Sequence, residues 1–173
     1  MMVMTLEFSR KTLIDQKSLL MDESFSTNQM VAASEDVLEA KVADVHLSVS
    51  MVDNFANVAG AADTEVEYRC ARCLEPFTAS LHAPVEERYS WNEQEAKRID
   101  AVYAPDDKVI LDDLVEESLL LALPSVPLCR ADCRGLCQEC GQNLNMADCS
   151  CEKRKVDPRL EILKDLLSSP ESE

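Results

Sequence analysis

The sequence predicts an α+β fold: an antiparallel β-meander packed by helices, with a C-terminal cysteine-rich zinc-knuckle segment. Three observations predict it. Apolar and polar residues alternate in runs between residues 45 and 88, separated by turn residues, as half-buried antiparallel strands require. The stretch Leu111 to Leu123 is apolar enough for a helix buried against that sheet. Cys129 to Cys151 contains six of the eight cysteines, and Cys70 and Cys73 form a Cys-x-x-Cys far upstream.

Taken in order, Thr5 to Phe8 reads as a short strand. Lys11 to Met21 reads as a helix with Leu13, Leu20 and Met21 as its apolar contacts, and residues 22–36 as loop. Val45, Leu47, Val49 and Met51 alternate with His46, Ser48 and Ser50, which marks a strand. Asp53-Asn54 supplies a tight turn. Residues 55–69 form a longer strand with Val58, Gly60, Ala62, Thr64, Val66 and Tyr68 on one face, Gly60 marking a bulge or a close backbone approach. Cys70-Ala-Arg-Cys73 falls where this strand turns, and Leu74-Glu75-Pro76 complete the turn. Phe77, Ala79, Leu81, Ala83 and Val85 alternate again, and Pro84 keeps this strand from a central position.

Residues 90–108 are polar. Asn92, with Glu95 three residues on, caps a short helix, and Ala104 to Asp107 reads as loop. Trp91 is either packed or a surface contact. In the helix Leu111–Leu123, Asp112 or Asp113 is the cap. Leu114, Val115, Leu121 and Ala122 share a face that Leu119, Leu120 and Leu123 widen. Pro124 stops the helix and Pro127 keeps the chain extended into Cys129. Asp157-Pro158 opens a last helix striped by Leu160, Leu163 and Leu167, and Ser168 to Glu173 is an acidic tail. The expected organisation is one integrated domain: an α+β core over 1–128, a cysteine-rich metal-binding segment over 129–156, and a C-terminal helix and tail over 157–173.

Composition narrows the function. The chain has 173 residues, 46% of them apolar, so a core is within reach. No apolar run approaches the roughly 20 residues of a membrane span. The start MMVMTLEFSRK has no secretory pattern, so a cytoplasmic protein with reduced thiols is expected. With three glycines and no phosphate-binding loop, a dinucleotide fold is not expected. The net charge is −16, which repels phosphate backbones and suits a basic protein partner or serves solubility alone. Two closed four-thiolate zinc sites would carry −2 each and deepen the charge to about −20.

Eight thiols in a reduced compartment point to metal before redox pairs or disulfides. Zinc takes four thiolates tetrahedrally. Cys137-Gln-Glu-Cys140-Gly141 is a knuckle whose glycine supplies positive φ, and Cys149-Ser-Cys151 is near enough to close its site. The assignment is Cys70, Cys73, Cys129 and Cys133 in one site and Cys137, Cys140, Cys149 and Cys151 in the other, with exchanged pairs as the alternative. A catalytic zinc is not expected, because such sites keep an open position, often beside histidine, and His46 and His82 both fall in strands away from the thiols. A thioredoxin-like pair would sit at a helix start rather than in a hairpin. Arg69, Arg72, Arg130, Arg134, Lys153, Arg154 and Lys155 crowd the thiols, either offsetting thiolate charge or forming a patch able to touch RNA phosphate.

These residues together resemble a family. Cys70-Ala-Arg-Cys73-Leu74, the run Leu120 to Pro127, CRGLCQECGQNLN from Cys133 to Asn145, Cys149-Ser-Cys151 and DPRLEIL from Asp157 are similar to the YceD family, the large ribosomal RNA subunit accumulation proteins of bacteria and plastids. The resemblance covers about residues 45–167. It implies a non-enzymatic ribosome-biogenesis factor that supports synthesis, processing or stability of 23S rRNA. It supplies no catalytic residues and no small-molecule substrate, and it does not fix whether rRNA is touched directly. Some members lack the distal cysteines. The acidity here favours contact with a basic ribosomal or assembly protein. A zinc–thiolate redox-responsive switch is the alternative.

Overall fold

The structure is a computed structural model that describes residues 5–151. Its elements run β1 (Glu7–Ser9), α1 (Arg10–Gln16), β2 (Ser18–Phe25), α2 (Asn28–Ala33), β3 (Val37–Ala40), β4 (Ala43–Val52), β5 (Phe55–Arg69), β6 (Pro76–Ser90), α3 (Glu93–Ile99), β7 (Val102–Tyr103), β8 (Lys108–Ile110) and α4 (Asp112–Ala122). The mixed α+β class with an antiparallel sheet is observed.

The spine is the hairpin of β5 and β6, paired without a register break from Phe55↔Ser90 to Arg69↔Pro76. The period of two sets which side chains turn inward. On β5, Ala56, Val58, Ala62, Thr64, Val66 and Tyr68 are buried; on β6, Leu81, Ala83 and Val85 are. Tyr68 stacks on its cross-strand partner Phe77, ring centroids 5.6 Å apart. The other edge of β5 is shared: β4 pairs with its first part through a turn at Asp53-Asn54, and β3 with its end. β2 extends the sheet beyond β4, and β7 pairs in parallel with only Tyr89 and Ser90 of β6. β1 and β8 form a separate two-stranded sheet.

Helices cover the inner face. Leu13 of α1, Met30 of α2, and Val115 and Leu119 of α4 are fully buried there, each contributing about 1.5–3 kcal/mol of hydrophobic stabilisation. Asn92 caps α3 through its side chain, which accepts from the Glu95 N–H at 3.0 Å.

Several expectations are corrected. The helix read over Lys11–Met21 ends at Gln16, where Lys17 turns to φ 64° and donates its N–H to the Leu13 carbonyl at 2.9 Å. Residues 18–21 belong to β2, because the free edge of β4 offers a ladder that the local Leu19-Leu20-Met21 run does not advertise. Residues 22–36, read as loop, hold the end of β2 and all of α2. Thr27 is buried there, donating its hydroxyl to the Lys41 carbonyl at 2.8 Å. The first strand is Glu7–Ser9 rather than Thr5–Phe8, and Val102-Tyr103 and Lys108–Ile110 pair as strands in a stretch read as polar connection. On α4 the stripe is Val115 and Leu119, whereas Leu121 is 79% exposed. The cap position of α4 is Leu111, without a side-chain bond. Asp112 instead accepts the Leu6 N–H at 2.7 Å, tying the chain's start to the helix.

Three local features follow the sequence closely. Pro84 lies on the stretch of β6 that has β5 on one side only, next to an open edge, the setting in which a sheet tolerates proline. Trp91 is half-buried; its indole N–H donates to the Asp106 carbonyl at 3.1 Å, and the Arg10 guanidinium lies 5.2 Å from the ring centroid. His46 and His82 face solvent in cross-strand pairs with Asp22 and Asp63, each at 2.7 Å. The Asp22 hydrogen bond raises the His46 pKa above the ordinary imidazole value. The helix expected from Asp157 lies outside the described residues.

Gly60 faces Leu47 in unbroken register, so the glycine marks a close approach and not a bulge. A Cβ there would lie 2.0 Å from the His46 carbonyl oxygen and 2.9 Å from the Leu47 Cα. Gly60→Ala should therefore lower unfolding free energy by about 1–3 kcal/mol, read as a lower urea midpoint with unchanged slope.

Candidate metal centres

The β5–β6 turn builds the first half of a centre. The Cys70 N–H donates to the Glu75 carbonyl at 3.0 Å and the Leu74 N–H to the Cys70 carbonyl at 2.9 Å, which brings Cys73 back over Cys70. Leu74 takes φ 61° to do so. Further along, the Gly141 N–H reaches the Cys137 carbonyl at 2.9 Å with φ 74° at Gly141. Both Cys-x-x-Cys loops thus use the same bond and the same left-handed residue. Only the second places glycine there, where the conformation carries no Cβ penalty.

The segment after α4 is laid onto the hairpin turn by backbone bonds. The Ala71 N–H donates to the Pro127 carbonyl at 2.8 Å, and the Leu136 N–H to the Arg72 carbonyl at 3.1 Å. The Arg72 guanidinium donates to the Cys133 carbonyl at 2.9 Å. Gly135 permits this crossing, with φ 73° and a hypothetical Cβ 3.0 Å from the Arg72 carbonyl oxygen. The chain then pairs Leu136 with Asn143, and the Leu144 N–H donates to the Gly135 carbonyl at 2.9 Å.

These contacts gather the eight sulfurs into two groups. Cys70, Cys73, Cys129 and Cys133 form one, and Cys137, Cys140, Cys149 and Cys151 the other; within each group all sulfurs lie within 4.8 Å of one another. In the first, Cys70 and Cys133 are 3.8 Å apart and Cys73 and Cys129 3.7 Å. A disulfide needs about 2.05 Å. Each group can hold a metal ion. The two differ in setting. Cys70, Cys73 and Cys133 are buried among Phe77, Leu128 and Leu136, whereas Cys140 is exposed and its three companions are half-buried.

Proton affinities within each group are split. Burial works to raise the Cys70 thiol, but N–H groups of Cys129, Cys73 and Arg72 outweigh it and bring it down to about 6. Cys137 is brought to about 6 by the amides of Cys140 and Glu139, with Cys149 adding to them. Cys129 is pushed up to about 12 by burial and by its neighbours Cys70 and Cys73. Cys151 is pushed up to about 12 by the Cys140 sulfur and by burial. Four thiols packed this closely cannot all ionise alone, and a divalent cation is what would let them.

Sequence reading missed the supporting polar residues. Asn145 donates through Nδ2 to the Cys133 sulfur at 3.3 Å while its Oδ1 accepts from the Arg134 N–H at 2.8 Å and from Arg130 Nη2 at 2.7 Å. Arg134 also pairs with Asp148 at 2.5 Å. No local pattern marks an asparagine as a sulfur partner; only the crossing of the two loops does. Of the basic cluster, Arg72, Arg130 and Arg134 are engaged within this segment, and Lys153, Arg154 and Lys155 lie outside the described residues. His46 and His82 are not brought to either sulfur group.

A family model for "Large ribosomal RNA subunit accumulation protein YceD" matches residues 58–167, which include all eight cysteines. The chain belongs to the YceD family. Its relatives include uncharacterized proteins of Mycobacterium tuberculosis and Mycobacterium bovis, each 28% identical over 134 residues, covering 75% of this chain and 64% of theirs. A Mycobacterium leprae protein, also uncharacterized, is 27% identical over 129 residues, covering 72% and 59%. The chain thus spans less than two thirds of these relatives' length. No solved structure matches. The family is described as an accumulation factor, and among the described residues no helix is long and apolar enough to cross a membrane.

Gly135→Ala should strain the crossing by about 1–2 kcal/mol. Amide hydrogen exchange at Leu136 and Leu144, whose N–H groups hold the crossing, should accelerate by about 5–30-fold while the β5–β6 ladder keeps its protection.

Proposed function

We propose that this protein is a non-enzymatic ribosome-biogenesis factor that supports the synthesis, processing or stability of 23S rRNA through protein contacts, with two structural zinc ions. The observation that carries it is the family match across the residues that build both sulfur groups. Zinc suits the geometry. A tetrahedron with zinc–sulfur distances of about 2.3 Å puts sulfurs about 3.8 Å apart. Within Cys70, Cys73, Cys129 and Cys133, the buried inner group as against the more exposed outer group of the other four, the Cys70–Cys133 and Cys73–Cys129 separations are 3.8 Å and 3.7 Å. Four sulfurs per ion would leave no position for a substrate or a reactive water, so the sites are structural zinc knuckles rather than catalytic centres.

Cys70, Cys73, Cys129 and Cys133 would hold one ion and Cys137, Cys140, Cys149 and Cys151 the other. A structural zinc supplies an apparent ~10–16 kcal/mol of coupled folding, against a typical net stability of about 5–15 kcal/mol. The cysteine-rich segment buries little besides Cys133 and Gly135, with Leu136 partly buried. Metal is therefore what makes it one unit with the core. A cytoplasmic location keeps the thiols reduced and available. Native mass spectrometry of the reduced chain should find two zinc ions. Chelator should remove them and abolish exchange protection in 129–151 while the sheet persists; fewer than two ions, or paired thiols, would sink the structural-zinc reading.

The partner is a basic ribosomal or assembly protein, because the net charge is −16 and the solvent face of the sheet is acidic. Asp22, Asp63 and Glu65 are exposed on it. A groove of about 480 Å³ between β6 and α4 combines Glu86, Glu87 and Glu117 with the apolar Pro84, Leu114 and Leu121. Glu86→Lys with Glu117→Lys should reduce capture of ribosomal or assembly proteins several-fold at physiological salt and leave zinc content unchanged. Recovery of naked rRNA without such proteins would overturn the indirect route. A redox-responsive switch is the second reading, favoured by the exposure of Cys140. It requires mild peroxide to release zinc and with it the partner.

A further inference from the structure

Asn145 belongs to one sulfur group by chain position and to the other by contact. It lies in the loop between Cys140 and Cys149, both outer-group residues, yet its Nδ2–H points at the sulfur of Cys133, an inner-group residue, at 3.3 Å. Met146 is 80% exposed, and the rest of the loop is tied to the segment before Cys137: the Leu144 N–H donates to the Gly135 carbonyl, Asn143 pairs with Leu136, and Asn145 Oδ1 accepts from the Arg134 N–H and from Arg130. Closing Cys137 and Cys140 onto Cys149 and Cys151 pins both ends of the loop and so adds to what keeps Asn145 on its partner. An amide N–H bonded to a metal-bound thiolate lowers the charge that sulfur must carry and fixes its direction.

We propose that Asn145 couples the two sulfur groups, so that metal bound at Cys137, Cys140, Cys149 and Cys151 tightens metal binding at Cys70, Cys73, Cys129 and Cys133. The inference rests on the metal-binding reading above. The inner group is the lock, joining the segment after α4 to the β5–β6 turn. The outer group, with Cys140 exposed, is the sensor that meets chelators and metal donors first. Loss of the outer ion then loosens the lock without any ligand of the lock being touched. Coupling through binding is reciprocal, so the inner ion tightens the outer one by the same factor.

The test is zinc affinity at each group of the full reduced chain, by chelator competition, with cadmium NMR to tell the groups apart. Opening the outer group with Cys140→Ser and Cys149→Ser should weaken the inner group by about 10–100-fold, the scale of one hydrogen bond to a charged group. Asn145→Asp keeps the acceptor that Arg130 and Arg134 use and removes the donor to sulfur. It should weaken the inner group to the same extent, and combining it with the open outer group should add little. Cys73→Ser, which opens the inner group, should weaken the outer one equally. Should a variant not fold, stepwise cadmium titration of the unmutated chain gives the same answer, since coupling makes the second ion bind more tightly than an independent site would. Inner affinity unchanged within about threefold, or effects of Asn145→Asp and the open outer group that multiply, would overturn the coupling while leaving two zinc sites. A chain that takes up no metal would sink the metal reading itself.

Discussion

The unbroken pairing of Phe55–Arg69 with Pro76–Ser90 is the constraint on which the rest of the structure depends. It gives β4 and β3 a shared edge, presents an apolar face to α4, and ends in a turn that holds two thiols. Because side chains alternate strictly along a strand, a slip of one residue would turn Val58, Val66 and Val85 to solvent. The sheet's register and the place of Cys70 and Cys73 are therefore fixed by the same burial.

The cysteine-rich segment is held by other means. Its contacts with the hairpin include backbone hydrogen bonds to Arg72 and Ala71, the Arg72 guanidinium, the Cys129 N–H on the Cys70 sulfur, and sulfurs packed together beside Phe77, Leu128 and Leu136. The thiols divide the labour. Cys70 and Cys137 are drawn toward ionisation by turn amides, whereas Cys129 resists it through burial and its neighbouring sulfurs, and Cys151 through the Cys140 sulfur and burial. A dication would resolve that conflict, and the proposed roles of the two groups follow from where each sits: one largely buried beside Phe77 and Leu136, the other at the surface.

The acidic surface and the thiolate centres bear on function together. A chain that would grow more negative on taking up zinc is poorly suited to bind phosphate directly. The arginines nearest the sulfurs are engaged with Cys133, Asn145 and Asp148. That distribution is the one the proposed contact with a basic protein would use.

The sequence by itself determined the β4–β6 meander, the short helix capped by Asn92, the apolar helix before the cysteines and the hairpin position of Cys70 and Cys73. Each rests on a local rule, period two, a cap or a turn, that short-range sterics enforce. Tertiary structure decided the rest. Ser18–Phe25 is a strand because β4 had an edge to fill, and Asp112 bonds Leu6 rather than capping α4 because the N-terminal strand had to be anchored there. Which cysteines meet, and that Asn145 crosses from one group to the sulfur of the other, depends on how two loops pass each other at Gly135. Spacing along a chain limits which residues can share an ion, but only the path of the backbone in three dimensions selects among them.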